Sequence, residues 1–176
     1  MITIRKERPP DAGGREALLD EAFGRRRQRK SSQRLRDGQL PANDLAFVAT
    51  EGKRVIGTAR LWNIVCGTGQ RALLLGPVAV AGNCRNRGVG TELVRHALAA
   101  ARRHGHQAIV LVGDAPYYGR FGFTAEKAAA LRMPGPFERH RLLALELVPN
   151  ALKGARGLLR TANGPLSEAD LATSAA

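Results

Sequence analysis

A short stretch rich in glycine and arginine carries the residue types best suited to binding a phosphate group. Residues 85–91 read Arg-Asn-Arg-Gly-Val-Gly-Thr, follow an apolar run and open an amphipathic pattern. The two glycines let the backbone turn tightly and approach a ligand closely. The first N–H groups of a helix have no partner inside the helix, and the helix dipole adds positive potential there. The sequence therefore predicts a cradle for a diphosphate, and with it a nucleotide-like cofactor.

The elements on either side of this loop must hold it in place. Residues 71–80 predict a strand, and the helix after the loop runs to about His104, with one apolar stripe and Gly105 as its stop. Residues 107–112 predict a further strand, because every residue after Gln107 is apolar, which is typical of a strand buried on both faces. Because strand, helix and strand in this order form a crossover, we expect the two strands to be parallel.

The other segments predict further strands and helices around this unit. Strands are expected at residues 2–5, 45–50, 54–64 and 141–147, and helices at 14–23 and from Ser31 to Arg36. Turns at residues 51–53 and 67–69 join three of the strands into an antiparallel run. We predict one domain over residues 1–148. An extension over 149–176 is expected to add an edge strand near 158–161 and then a mobile tail from residue 163.

Composition and charge narrow the function classes. No apolar run approaches the roughly 18–20 residues of a membrane span, and the first residues are too polar for a signal peptide, which predicts a cytoplasmic protein. Two cysteines without CxxC spacing predict no metal site. The formal net charge of +13 predicts attraction for phosphates, acidic proteins or nucleic acid, without choosing among them.

The order of these motifs resembles the GCN5-related N-acetyltransferase (GNAT) family. The resemblance is carried by Val78-Ala79-Val80, by Arg85-x-x-Gly88-x-Gly90 and by Tyr118-x-x-x-Gly122-Phe123, and it covers roughly residues 2–148. Residues 117–123 are similar to a Tyr-Tyr-x-Arg-Phe-Gly-Phe segment of a small bacterial branch. The resemblance implies an α/β (α+β) three-layer fold. Its central sheet would be mixed and mostly antiparallel, with a V-shaped splay between two parallel central strands and helices on both faces.

What the resemblance implies chemically is an enzyme that moves an acetyl group from acetyl-CoA to a primary amine by direct attack in a ternary complex. Pantetheine would pair with the main chain of Val78, Ala79 and Val80. Tyr118 would be the general acid for the thiolate leaving group, Tyr117 would pack against the cofactor, and no metal is implied. The pyrophosphate would bind the loop and the start of the helix, at Arg85, Asn86, Arg87, Gly88, Val89, Gly90 and Thr91.

The general base stays open at this point. Many family members carry a glutamate on the central strand, but residues 71–80 contain no acidic residue. Glu51, Asp44, a water chain and an amine that arrives already neutral are the alternatives. The acceptor is a small-molecule or protein amine, with Trp62 or Asn63 as a hypothesis for its cleft. The resemblance also allows a homodimer.

The basic run from Arg25 to Lys30 has several interpretations. The first interpretation is a surface that only contacts solvent. The functional alternatives are an entrance for acidic acceptors, a positive region that attracts the phosphates of CoA, and a contact surface for RNA. No aromatic residue lies between Phe23 and Phe47, which disfavours nucleic acid. Two other functions remain as alternatives: a CoA-sensing module without catalysis, and a basic protein that acetylates a protein N-terminus on RNA or the ribosome.

Overall fold

The computed structural model describes residues 1–162 of the chain, which form a sheet with helices on both faces. The helices are α1 (Ala12–Phe23), α2 (Val89–Arg103) and α3 (Ala115–Gly119). The strands are β1 (Ile2–Lys6), β2 (Ala46–Glu51), β3 (Arg54–Val65), β4 (Arg71–Val80), β5 (Ala108–Val112), β6 (Leu131–Arg132), β7 (Leu142–Glu146), β8 (Gly157–Leu158) and β9 (Arg160–Thr161).

A mixed sheet of seven strands lies at the centre. Its order is β1-β2-β3-β4-β5-β7, with β9 paired to β3. Every pair is antiparallel except β4 with β5, which run parallel. The predicted fold class is confirmed, including the parallel pair that the crossover through α2 requires.

The two parallel strands touch over a very short length. Leu73 pairs with Ile109 and Leu74 with Val110, and no further pair joins β4 to β5. Beyond this point β4 continues to Val80 paired with β3 alone, while β5 stays paired with β7. The strands therefore separate into an open fork, which leaves backbone N–H and C=O groups of β4 without a strand partner and available to a ligand.

A bulge in β4 lies where the fork begins. Gly76 and Pro77 together stand opposite a single residue of β3, Arg60. Proline has no N–H to donate to a ladder and is therefore found at edges or bulges. Trp62 holds the bulge in place, because its Nε1–H donates to the carbonyl oxygen of Gly76 at 2.5 Å. The predicted strand has the correct bounds, but the prediction missed this irregularity.

The helices cover opposite faces of the sheet. An ideal Cβ on Gly57 would lie 2.7 Å from Cδ1 of Leu93, so α2 packs closely against that face. A Cβ on Gly14 of α1 would lie 3.1 Å from Cγ2 of Val55. Val55 and Gly57 point to opposite faces because the register between β2 and β3 shifts at the residue between them.

The buried apolar residues form two clusters. The larger one contains Leu73, the α2 stripe and Leu18 and Leu19 of α1, whereas the second contains Leu74 and Leu35, from the segment after α1. The predicted stripe of α2 is buried; it consists of Leu93, Val94, Ala97, Leu98 and Ala101.

The segment after α1 differs from its prediction. It forms two short 3-10 helices, Arg25–Arg29 and Ser31–Leu35, so the helical stretch expected from Ser31 to Arg36 is present as a 3-10 helix, and the first of the two was not expected. Tertiary contacts fix this shape. Leu35 is buried, and the Ser31 hydroxyl donates to the carbonyl oxygen of Pro136, more than a hundred residues away.

Residues 149–162 belong to the packed structure. Leu152 and Leu159 are buried in the cluster that contains Leu35, β9 pairs with Ile64 and Val65 of β3, and β8 pairs with β6. The tail predicted to be mobile from residue 163 lies outside the described residues. Across residues 1–162, no helix combines the length and apolar character needed to cross a membrane.

Candidate active site

The loop before α2 has the geometry of an anion cradle. Gly88 precedes the helix at φ 77°, and Asn86 also lies in the left-handed region at φ 66°. No side chain caps the first turn of α2, and within the described chain the backbone N–H groups of residues 86–88 donate to no protein acceptor. These N–H groups are therefore available to an anion at the positive end of the helix dipole.

The two arginines of the loop differ in whether they form an ion pair. Arg87 donates to Glu51 at 2.9 and 3.3 Å, and this pair lowers the pKa of the exposed Glu51 carboxyl. Arg85 is exposed, and its guanidinium forms no ion pair or hydrogen bond with residues 1–162. Arg85 is thus the arginine of this loop that is free to reach a phosphate.

Tyr117 connects α3 to the start of α2. Its hydroxyl lies 3.3 Å from Oγ1 of Thr91, and the Arg120 guanidinium lies 4.4 Å from its ring centroid. Its ring meets that of Tyr118 edge-on, with centroids 4.9 Å apart. Tyr117 therefore stands beside the cradle, and its contact with a cofactor stays a prediction.

A cavity of about 570 Å³ opens at the fork, on the face opposite α2. Residues 75–78 of β4 form one wall, and residues 112–114 with Tyr118 form another. The remaining walls come from the segment after α1 and from residues 136–138 with Arg141. The volume falls within the roughly 300–1,000 Å³ that is usual for small-ligand sites.

Tyr118 brings a hydrogen-bond donor into this cavity. Its hydroxyl makes no hydrogen bond within the described residues, so it is available to a substrate. Burial, with a smaller contribution from the neighbouring Tyr117, raises the pKa of Tyr118 to about 12. The hydroxyl consequently stays protonated at neutral pH and can donate to developing negative charge.

The ring of Tyr118 rests on the bare backbone of Gly113. An ideal Cβ on Gly113 would lie 2.6 Å from Cε2 of that ring. We therefore expect Gly113→Ala to displace the ring, to lower the free energy of unfolding by about 1–3 kcal/mol and to reduce turnover. Gly119→Ala, at the end of the helix that carries Tyr118, is the control, because its Cβ would meet nothing within 4 Å. Thermal melting and thiol release check this, and equal values for both variants would contradict it.

The structure places neither predicted carboxylate base at the cavity. Glu51 pairs with Arg87 beside the cradle, and Asp44 is exposed and paired with Lys6 at 3.1 Å. The carboxylates that border the cavity are Asp114, which accepts the N–H of Tyr117 at 3.1 Å, and Glu138, which is exposed. Sequence reasoning missed Glu138 because it lies in a loop without a motif.

Other candidate residues lie away from the chemistry. Trp62 is buried and bound to the bulge, and Asn63 is exposed, so neither lines the cavity as hypothesised. Burial raises the pKa of the Cys66 thiol to about 11, which makes it unreactive. In the part of the chain that is described, no group of three or more His, Cys, Asp or Glu residues is arranged to hold a metal ion.

Comparison with known families defines the class of this protein. The model of the acetyltransferase (GNAT) family matches residues 15–123. The chain belongs to this family and is by class an N-acetyltransferase, which confirms the resemblance found in the sequence.

Individual relatives share most of the chain. YhbS of Escherichia coli K12, described as an uncharacterized N-acetyltransferase, is 33% identical over 161 residues, which is 90% of this chain and 95% of YhbS. The crystal structure of E. coli YhbS in complex with CoA has a TM-score of 0.78 at 30% identity, covering 91% of this chain and 89% of that one. A GNAT acetyltransferase from Brucella melitensis in complex with acetyl-CoA has a TM-score of 0.64 at 30% identity, covering 85% and 90%.

Proposed function

We propose that this protein transfers the acetyl group of acetyl-CoA to a primary amine. The observation that carries the proposal is the fork between β4 and β5, which has an anion cradle on one side and the Tyr118 cavity on the other. The related structures from E. coli and B. melitensis hold CoA and acetyl-CoA, and this supports the same co-substrate here.

In this proposal the cofactor enters from the side of α2. Its pyrophosphate binds the free N–H groups of the loop and the Arg85 guanidinium, with the Thr91 hydroxyl nearby. Its pantetheine follows the unpaired edge of β4 along Val78, Ala79 and Val80. The thioester then reaches the cavity beside Tyr118.

The proposed reaction is a direct transfer without a covalent enzyme intermediate. The neutral amine attacks the thioester carbon, a tetrahedral oxyanion forms, and the C–S bond breaks as the nitrogen loses one proton. A backbone N–H near Val78 would stabilise the oxyanion, and the Tyr118 hydroxyl would donate to the departing sulfur. Holding both substrates side by side can itself lower the barrier by about 7–11 kcal/mol in favourable cases. The proton acceptor is a water or the bulk solvent, since no carboxylate is assigned.

Two measurements test the proposed function. Calorimetry should detect binding of acetyl-CoA, and a thiol-release assay over a broad panel of amines should detect free CoA with at least one of them. Binding without release for every amine would favour the CoA-sensing alternative. Failure to bind either acetyl-CoA or CoA would overturn both.

The alternative of an RNA- or ribosome-associated acetyltransferase predicts salt-dependent binding of RNA. Arg25, Arg26 and Arg29 are exposed in the segment after α1 and are available to a polyanion. RNA affinity should then fall steeply with salt and disappear when these three residues are replaced by glutamine. A cytoplasmic location and a homodimer both stay predictions.

A further inference from the structure

Arg36 is a buried arginine whose guanidinium forms no ion pair with residues 1–162. Its residue is 9% exposed, and its Nε and Nη2 donate to Oε1 of Gln33 at 3.2 and 3.1 Å. Among residues 1–162 it pairs with no carboxylate, and its Nη1 donates no hydrogen bond. A buried charge that lacks a partner is costly, and such groups are concentrated at sites where a ligand supplies the missing partner.

The free nitrogen of Arg36 faces the fork. Its Nη1 lies 3.5 Å from the position of an ideal Cβ on Gly76, the first residue of the bulge in β4. Arg36 and Tyr118 line the same cavity. An anion that accepts from Nη1 would therefore lie close to where the strands separate and the thioester is expected.

Two more cations border the cavity, and neither forms an ion pair with a carboxylate in the described part of the chain. Lys30 and Arg141 are both exposed at its rim, and the Lys30 ammonium lies 4.4 Å from the ring centroid of Phe23. The Arg141 Nε donates to the carbonyl oxygen of Gly113 at 3.3 Å. A fourth cation of the wall, Arg27, is already neutralised by ion pairs with Glu16 and Asp20.

The ionisation of these groups reflects their crowding. Burial, together with the positive charges of Arg27 and Arg60, lowers the pKa of Arg36 to about 10 despite the nearby Asp37. Partial burial of its ammonium, then the charges of Arg141 and Arg36, lowers the pKa of Lys30. Asp114 and Glu138 also border the cavity, but the three cations Arg36, Lys30 and Arg141 outnumber these two carboxylates by one, and an anion would relieve this excess of positive charge.

We propose that the acceptor amine also carries an anionic group, a carboxylate or a phosphate, and that Arg36 binds this group while Lys30 and Arg141 contact it from the rim. This inference rests on the proposed acetyl transfer and names its substrate class. A planar guanidinium matches both oxyanions, and its hydrogen bonds to them are charge-assisted. The cavity volume of about 570 Å³ suits a small amino acid or the end of a peptide chain.

Matched pairs of amines test the substrate class. The pairs are 4-aminobutyrate with butylamine, L-phenylalanine with its amide, and O-phosphoethanolamine with ethanolamine. In at least one pair, kcat/KM measured by thiol release should be roughly tenfold or more higher for the anionic member. Rates that are equal or higher for the neutral members in all pairs would overturn the inference while leaving acetyl transfer intact. The carboxylate and phosphate pairs also distinguish the two anions.

Substitutions at Arg36 test whether this residue recognises the anionic group of the acceptor. Arg36→Gln should abolish the anion preference and leave the KM for acetyl-CoA unchanged, and Arg36→Lys should restore part of the preference. Arg26→Gln is the control, because Arg26 is exposed and does not line the cavity. A purely structural role predicts a lower melting temperature for Arg36→Gln. A binding role predicts an equal or higher one, because an unpaired buried charge has been removed.

A binding measurement covers the case in which none of these amines is turned over. Calorimetry on protein saturated with CoA, which occupies the cradle, should detect 4-aminobutyrate or O-phosphoethanolamine. Arg36→Gln should weaken this binding at least roughly tenfold, and Arg26→Gln should leave it unchanged. If neither probe binds, or if Arg36→Gln binds as tightly as the wild type, the inference is wrong. Absence of CoA binding would instead contradict the proposed function.

Discussion

Replacing Tyr118 by phenylalanine is expected to lower kcat by roughly 10²-fold or more while the Kd for acetyl-CoA stays nearly unchanged. The ring still packs on Gly113, and the substitution removes only a hydroxyl that makes no hydrogen bond with residues 1–162. Because the pKa of Tyr118 is raised to about 12, the wild-type hydroxyl stays protonated at neutral and moderately alkaline pH. Its ionisation should therefore impose no loss of turnover in that range. Thiol release and calorimetry measure the two quantities separately.

The neighbouring tyrosine provides the comparison for this experiment. The Tyr117 hydroxyl lies near Thr91 on the cradle side, so Tyr117→Phe should raise the KM for acetyl-CoA more than it lowers kcat. The two substitutions remove the same atom from adjacent residues of α3. If Tyr118→Phe retains wild-type kcat, the role of Tyr118 as a proton or hydrogen-bond donor is wrong.

Gly88→Asp is expected to weaken acetyl-CoA binding by roughly 10²-fold or more, because a carboxylate about 4 Å from a phosphate repels it strongly near a protein surface. Gly88 has φ 77° and precedes the first helical residue of α2. Aspartate tolerates the left-handed conformation and can cap the first turn, so α2 should remain folded. Calorimetry with acetyl-CoA and CoA gives the Kd values, and circular dichroism monitors the helix.

Gly88→Asn isolates the charge in this prediction. Asparagine has the same shape as aspartate, shares its tolerance of the left-handed conformation and caps a helix equally well. Both variants compete with the ligand for N–H groups, but only aspartate repels the pyrophosphate. Equal Kd values for the two variants would mean that the phosphates of CoA bind elsewhere.

Much of the fold and of the cradle could be predicted because the signals are local. The loop from Arg85 to Thr91 is recognisable by its glycines and arginines at the start of a helix. The apolar stripe of α2 repeats with the helical period. The crossover rule then fixes the parallel pair. Gly76-Pro77 inside a predicted strand is also a local sign of a bulge, because proline cannot donate to a strand ladder.

The residues of the acceptor cavity could not be predicted, because tertiary packing decides which side chains line it. Arg34 and Arg36 are two residues apart in the same basic segment, and nothing in their neighbours tells them apart. The structure leaves Arg34 exposed and buries Arg36. The 3-10 conformation that does this depends on Leu35 and on the contact between Ser31 and Pro136, which no local pattern encodes.

The placement of the cradle and the cavity on opposite faces of the sheet has a consequence for traffic through the enzyme. In the proposed reaction, donor and acceptor reach the thioester from different sides of the sheet. The used CoA could then leave and be replaced while the acceptor stays bound. A change of acceptor preference would need substitutions on one side of the sheet only.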